Sequence, residues 1–390
     1  MLTWRRVGAA LVLVLTVVLV ACGSDAGEAP VSITASEDVP DSTPVAGAGR
    51  EGPARSFGMG FLALPAQLNE SSYIELFDVA ALRGDLLMIQ RAVPWAALAA
   101  GGAPSAQEMA TVDRESAWSR ERGLDLLVAI DPWEPTDRGR LAGEARGPGF
   151  DDPAIVKSYL RYVEFVVERY QPRWIALAVD VDQFAAARPE QLDAFQAAYI
   201  EAYRLVKERA PQTMAFLTFQ LEDLQGLVPW GAVHDPQWGL VIRFAPFFDL
   251  LAVSSFPSFI FPFQGDIPQE YFSRLIAFGK PVAVVPVGYA SQPGRDGVTF
   301  GDVAGQRAFL ERVLGEAEEG EWELVVWLAP QDPGFEVASP YDLVAHMGLR
   351  DEAGAAKVAW NVWTEMASRP WVPLQRDATQ PDEAAAEPPA

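Results

Sequence analysis

Apolar runs alternate with amphipathic stretches along most of the chain. Apolar runs fall at 57–63, 85–90, 124–130, 174–179, 213–219, 250–254, 282–287 and 324–328, and each reads as a short buried strand. They recur roughly every 30 to 50 residues, the cadence of βα units around a parallel sheet. Between them the period changes to that of a helix. Val156, Leu160, Val163, Val167 and Tyr170 share one helical face, and so do Phe195, Tyr199, Ala202 and Val206. Asp151-Asp152-Pro153 is a helix start with proline in the first turn. A final helix is expected over 353–366, stopped by Arg369-Pro370. The weakest helical stretch is 235–248, which carries two prolines and several aromatics.

Eight strands with about eight helices suit a (β/α)8 TIM barrel, one domain of the α/β class. An open doubly wound sheet is the alternative, but no glycine-rich phosphate loop follows the first strand. In a barrel the functional side chains come from the loops at the C-terminal ends of the strands, so a linear list of residues becomes a ring.

The two ends of the chain read differently. Residues 1–6 are basic, residues 7–20 are apolar but short for a membrane span, and Leu19-Val20-Ala21-Cys22 matches the bacterial lipoprotein signal. In that signal Cys22 becomes the acylated first residue; an ordinary signal peptide or a short anchor is the alternative. Residues 1–21 are therefore expected to be a signal peptide and 22–56 an acylated cysteine with a disordered tether. Residues 57–370 are expected to form the barrel, and 371–390 a disordered acidic tail. The expected protein is exported, lipid-anchored at the cell membrane, outward-facing and monomeric. Its one cysteine rules out a disulfide within the chain. A formal net charge of −23 argues against a nucleic-acid partner, because the phosphate backbone demands a basic patch.

Lys280-Pro281, an apolar run and Gly288-Tyr289 resemble the seventh strand of retaining β-glycosidase barrels, the clan of endo-β-1,4-galactanases and many cellulases. That strand carries the clan's nucleophilic Glu, and its position here is Pro286. Ala178-Val179-Asp180 resembles the Gly-Asn-Glu that closes the clan's fourth strand. The resemblance makes Asp180 the acid/base position and puts Val179 where an Asn would bind the sugar 2-hydroxyl. Phe256 stands for a Tyr of the sixth strand, and Trp327 matches the Trp that floors the sugar subsite. Gly348-Leu349-Arg350-Asp351, with Gly354 and Lys357, resembles the closing segment of endogalactanase-like sequences. Arg91 matches an Arg that supports the nucleophile in the clan, and without that Glu it is expected to need another anion, Asp131 or Asp180. The resemblance thus implies a glycosidase-like barrel whose catalytic Glu pair is not retained.

Asp131, Glu134, Asp180, Asp182, Glu222, Asp223 and Asp332 all follow strand ends. An inverting pair about 6.5–9.5 Å apart is conceivable among them, although helix capping is the commoner use, with Asp182 capping the helix beyond Arg188-Pro189. His234 and His346 have no ligand spacing with an acidic partner, so neither a metal nor a cofactor is expected. Ser254-Ser255 lacks the glycine-flanked elbow of an activated serine. Trp95, Trp133, Trp230 and Trp327, with Phe256, Phe259 and Phe261, form either a sugar-stacking platform or loop packing. Trp118, Trp174, Trp322, Trp360 and Trp363 read as packing. The expected ligand-binding set is Arg91, Asp131, Trp133, Val179, Asp182, Glu222, Phe256 and Trp327. The expected role is that of a lipoprotein binding a polysaccharide or oligosaccharide in the barrel-top cleft without cleaving it. A glycoside hydrolase with a relocated carboxylate pair and a structural or interaction lipoprotein are the alternatives.

Overall fold

A computed structural model describes residues 43–374 apart from 100, 136, 144–148, 229–233, 295–298 and 336–343. Cys22, the expected signal peptide, most of the expected tether, Trp230 and the expected acidic tail beyond 374 lie outside the described residues. The strands are β1 (Gly58–Leu62), β2 (Leu86–Ala92), β3 (Asp125–Asp131), a hairpin of β4 (Trp133–Glu134) and β5 (Asp137–Leu141), then β6 (Trp174–Ala176) and β7 (Met214–Phe216). They continue with β8 (Thr218–Gln220), β9 (Leu251–Ser255), β10 (Val282–Val287) and β11 (Leu324–Trp327). The α-helices run from α1 (Glu70–Arg83), α2 (Trp95–Ala99), α3 (Ala106–Glu121), α4 (Pro153–Tyr170) and α5 (Val181–Ala187) to α6 (Leu192–Arg209). They end with α7 (Leu221–Leu224), α8 (Trp238–Phe244), α9 (Ser273–Ile276), α10 (Val303–Glu319) and α11 (Val358–Ala367).

Nine strands pair in parallel in the order β7-β6-β3-β2-β1-β11-β10-β9-β8. The two outer members, β7 and β8, are one run of chain interrupted at Leu217, so the sheet closes into a ring. The fifth barrel strand, expected as continuous over 213–219, is thus split. Phe216 accepts from the Leu177 N–H at 2.7 Å, and the Thr218 N–H donates to the Ala178 carbonyl at 3.0 Å. The fold is the (β/α)8 barrel the periodicity predicts.

β10 departs from regularity. Val284 pairs with Val325 and Val287 with Trp327, so β10 fits three residue steps against two. The same surplus occurs against β9. Pro286 falls in this bulge after a cis peptide bond; lacking an N–H, it suits an interrupted ladder.

The helices follow their sequence signals with two shifts. Asp152 caps α4, its side chain accepting from the Ala154 N–H, as Asp151-Asp152-Pro153 predicts. The buried face of α4 is rotated, however, to Ile155, Tyr159, Tyr162, Val163, Val166, Val167 and Tyr170, leaving Val156 and Leu160 half-buried. The tyrosines can take the inner face because their hydroxyls find partners, Tyr159 at the Leu177 carbonyl and Tyr162 at Glu108. The last helix begins at Val358, because Asp351 captures the N–H groups of Ala353 and Ala355 in a turn. The weak segment 235–248 does form α8, followed by a short 3₁₀ turn.

The tether expected as far as residue 56 needs correcting for its last stretch. Arg50 and Arg55 both pair with Asp85 at the start of β2, Ala46 N–H donates to the Arg122 carbonyl, and Arg55 N–H to that of Pro370. These contacts strap residues 46–55 across the N-terminal ends of β2 and β3.

Between α1, α3, α4 and β2 lies a buried ion pair of Arg91 with Glu115, joined by the hydroxyls of Tyr73 and Tyr170. Removing one member of such a pair strands a buried charge, at a cost of about 3–5 kcal/mol. Glu115→Ala should accordingly lower the urea midpoint of unfolding sharply; an unchanged midpoint would contradict this placement.

Candidate functional site

The C-terminal mouth of the barrel holds a buried charge cluster. Asp131 is the last residue of β3, Asp180 follows the extension of β6, and Arg138 enters from β5 of the hairpin between them. Arg138 Nη1 donates to Asp131 Oδ1 at 2.5 Å, and its Nη2 lies 3.6 Å from Asp180 Oδ2. The side chains of all three are at most 6% exposed, so none can lean on bulk water and each needs protein partners. Gln90 Nε2 donates to Asp131 Oδ2 at 3.0 Å, and the Trp133 N–H to Oδ1 at 3.2 Å. Ser254 Oγ and Thr218 Oγ1 donate to Asp180 Oδ1 at 2.9 and 3.5 Å. Burial raises the carboxyls of both aspartates above their ordinary range, Asp180 to about 6, against the lowering pull of Arg138. Asp180 sits in left-handed backbone, φ 49°, where the chain turns into α5.

The hairpin is held down by aromatic packing. Trp133 stacks on Phe184 of α5 at 4.0 Å, with Phe150 and Phe195 edge-on, and its indole N–H donates to the Val179 carbonyl at 3.1 Å. Trp133 is therefore buried packing rather than a sugar platform. The same correction applies to Trp327, fully buried with its indole N–H on the Met347 carbonyl, and to buried Trp95, which donates to the Pro132 carbonyl. Val179 is buried beside Asp180. Phe256 lies against Gly288, where a Cβ would come within 3.3 Å of its ring. Phe259 is buried and Phe261 partly so. Trp174, Trp322, Trp360 and Trp363 are core, and Trp118 packs partly buried against it, as expected.

Three other expected residues take different places. Arg91 meets neither Asp131 nor Asp180. Neighbouring residues of β2 face opposite sides, so Gln90 enters the barrel while Arg91 turns out to Glu115. Asp182 does not cap the helix beyond Pro189. It is buried in the first turn of α5 and accepts from the Gln220 N–H at 2.9 Å. Burial, with the nearby charges of Asp223 and Asp180, raises its carboxyl well above the ordinary range. Glu222 does not face the mouth. Ser254 and Ser255 point to opposite sides of β9, and Ser254 meets Asp180 while Ser255 meets Glu222 at 2.8 Å. Glu222 also accepts from the Phe256 N–H at 2.7 Å and from Tyr271 and Gln220. Burial raises it to about 7 in spite of these donors.

Asp332 is tied to Lys357 Nζ at 2.6 Å and to the Gly348 N–H at 2.8 Å, locking the closing segment. His234 lies 3.2 Å from Asp223, and Gln292 bonds His346 at 2.8 Å. Among the described residues no group of three or more His, Cys, Asp or Glu could hold a metal ion. No residue of β10, nor of Gly288-Tyr289-Ala290-Ser291 after it, carries a carboxyl, and Pro286 occupies the bulge.

Arg138, Gln90 and Thr218 were missed by sequence reasoning. A polar residue inside an apolar strand was the available signal for Gln90 and Thr218. Arg138 gave less, because the hairpin that carries it has no apolar alternation.

A carboxyl raised by folding holds its proton more tightly in the folded chain. The stability that proton confers is complete below the ordinary carboxylate range and is lost as pH rises through the raised value. Asp180 at about 6 and Glu222 at about 7 therefore predict a melting temperature that falls as pH rises from about 4 to about 7. Melting curves that are flat or rise over that interval would refute the burial of these groups as described.

No family model matches the sequence, and no curated protein matches it. Solved structures similar in fold include the exo-β-1,4-mannosidase Op5Man5 from Opitutaceae bacterium strain TAV5. It has a TM-score of 0.60 and 17% identity, over 85% of this chain and 62% of that one. This chain thus spans less than two thirds of Op5Man5. A GH5_18 protein from Bifidobacterium longum subsp. longum gives 0.60 and 16% identity over 81% of each chain. A GH5_18 variant from Streptomyces cattleya, in complex with Manβ1-4GlcNAc, gives 0.59 and 16% over 80% of each. At these identities the likeness shows the fold alone, a (β/α)8 barrel.

Proposed function

We propose that this chain is an exported, glycosidase-fold protein that binds a β-linked glycan at the barrel mouth without hydrolysing it. One observation carries the reading: β10 brings Pro286 and no carboxyl to the mouth, while Asp180, the acid/base position of the resemblance, is engaged by Arg138. Retaining hydrolysis requires two carboxyls about 5–5.5 Å apart, one attacking and one donating a proton. Proline has neither lone-pair nucleophile nor acid to offer. Val179 and Phe256 likewise supply no hydrogen bond where the resemblance expects an Asn and a Tyr.

The bound chain is proposed as a β-mannan, β-glucan or β-galactan. The first is suggested by the mannosidase and the Manβ1-4GlcNAc complex among the similar structures, and the last by the endogalactanase-like motifs. A second reading rests on Asp180 itself, since a carboxyl raised to about 6 beside Asp131 suits a general acid. That reading makes the chain an inverting hydrolase with Asp131 as base.

Purified protein offered β-1,4-mannan, β-1,4-glucan and β-1,4-galactan is expected to bind at least one and to release no reducing ends. Release abolished by Asp180→Asn would establish the hydrolase instead. Pro286→Glu combined with Asp180→Glu is expected to leave hydrolysis undetectable, because Val179, Phe256 and Arg138 are unchanged; turnover by that double variant would overturn the account of the site.

The tether belongs to the same proposal. Residues 1–22 support acylation at Cys22, and Cys22→Ser should move the protein from the membrane fraction to the soluble one. An unchanged fractionation would remove the anchor from the proposal.

A further inference from the structure

The Arg138 guanidinium is only half used. Nη1 serves Asp131, whereas Nε and Nη2 are buried and, among the described residues, have no hydrogen-bond partner. Those two nitrogens lie on one edge of the planar group and aim parallel N–H bonds the same way. Buried donors left unmatched are destabilising, so the edge calls for acceptor oxygens that the described residues do not supply. Beside it stands one acceptor in the opposite condition. Asp180 Oδ1 is taken by Ser254 and Thr218, while among the described residues Oδ2 accepts no hydrogen bond and only faces Nη2 at 3.6 Å. Asp131 has no such capacity, because Gln90, Trp133 and Arg138 occupy both of its oxygens.

We propose that Arg138 and Asp180 together form a receptor for a vicinal diol of a neutral sugar. The unmatched guanidinium edge donates to two hydroxyl oxygens on adjacent carbons, and Asp180 Oδ2 accepts one hydroxyl proton in return. An anionic ligand fits less well, since Asp131 and Asp180 already set two carboxyls against one guanidinium. A hydroxyl pair answers both needs because each hydroxyl accepts and donates. The inference rests on the carbohydrate reading and narrows it to chains that keep adjacent free hydroxyls along their length. In a β-1,4-linked chain every internal unit keeps O2 and O3 free together, whereas in a β-1,3-linked chain O3 is consumed by the linkage.

The test is titration calorimetry of the full protein with β-1,4-mannan, β-1,4-glucan, β-1,4-galactan and β-1,3-glucan oligosaccharides of equal length. Arg138→Lys is titrated alongside; it keeps the charge opposite Asp131 but cannot present a parallel fork. The expected result is binding of a β-1,4 chain, at least about tenfold weaker binding of the β-1,3 chain, and a similar loss in Arg138→Lys. Far-UV circular dichroism of the variant should be unchanged. Equal affinity of the variant, or equal affinity for the two linkages, overturns this inference and leaves the carbohydrate reading standing. Absence of binding to all four probes by the wild type overturns the carbohydrate reading and this inference with it. Should Arg138→Lys fail to fold, the linkage comparison on the wild type decides alone.

Discussion

The mouth of the barrel is organised by one buried guanidinium between two buried carboxyls. Taking three charges out of water is costly unless each finds hydrogen bonds and an opposite charge. That requirement accounts for the polar residues inside otherwise apolar strands. Gln90 on β2, Thr218 on β8 and Ser254 on β9 all point at Asp131 or Asp180. It also explains the insertion after β3. The hairpin of β4 and β5 delivers Arg138, and Trp133 clamps that hairpin to α5 through Phe184. The aromatic cluster is thus a scaffold for a charge, and it leaves those rings unavailable for stacking on a ligand.

The alternation of side chains along a strand then divides the acids into two compartments. Ser254 and Ser255 are adjacent, yet one serves Asp180 inside the barrel and the other serves Glu222 outside it. Gln90 and Arg91 repeat the division on β2, with Asp131 inside and Glu115 outside. Counting acids at strand ends therefore overstates what reaches the mouth. Of the seven considered from sequence, Asp131 and Asp180 share the central cluster, whereas Glu222 and Asp332 are saturated by loop-binding donors. On the non-hydrolytic reading, Arg138 holds a cation next to Asp180.

The fold was legible because its signal is repetitive. Eight apolar runs at regular spacing need only a parallel sheet with covered faces, and a shift of a residue or two in any run leaves that conclusion intact. The split of the fifth strand at Leu217 and the bulge at Pro286 were not readable in detail, since both are matters of register between neighbours. The site was legible only in part. Asp131 and Asp180 stand out as acids ending apolar strands. Arg138 does not, because its importance comes from a hairpin that folds back over the mouth, which local periodicity cannot encode. Arg91 and Trp133 misled for the same reason in reverse: each lies beside a strand end, but the pleat and the aromatic cluster turn them away. Residue type and position relative to a strand end establish candidacy, and facing decides use.

The opposite end of the barrel is closed by a second charge cluster with a different task. Asp85 takes Arg50, Arg55 and the Met59 N–H at the N-terminal side of β2, and the Arg55 carbonyl accepts from the Val372 N–H. Both the chain entering the barrel and the chain leaving it are therefore fixed on the face away from Asp180. A lipid anchor at Cys22 would pull on this strap, and its load would fall on the ion pairs at Asp85 rather than on the hairpin. The mouth would then keep its geometry whatever the tether does, which is what the proposed diol receptor requires.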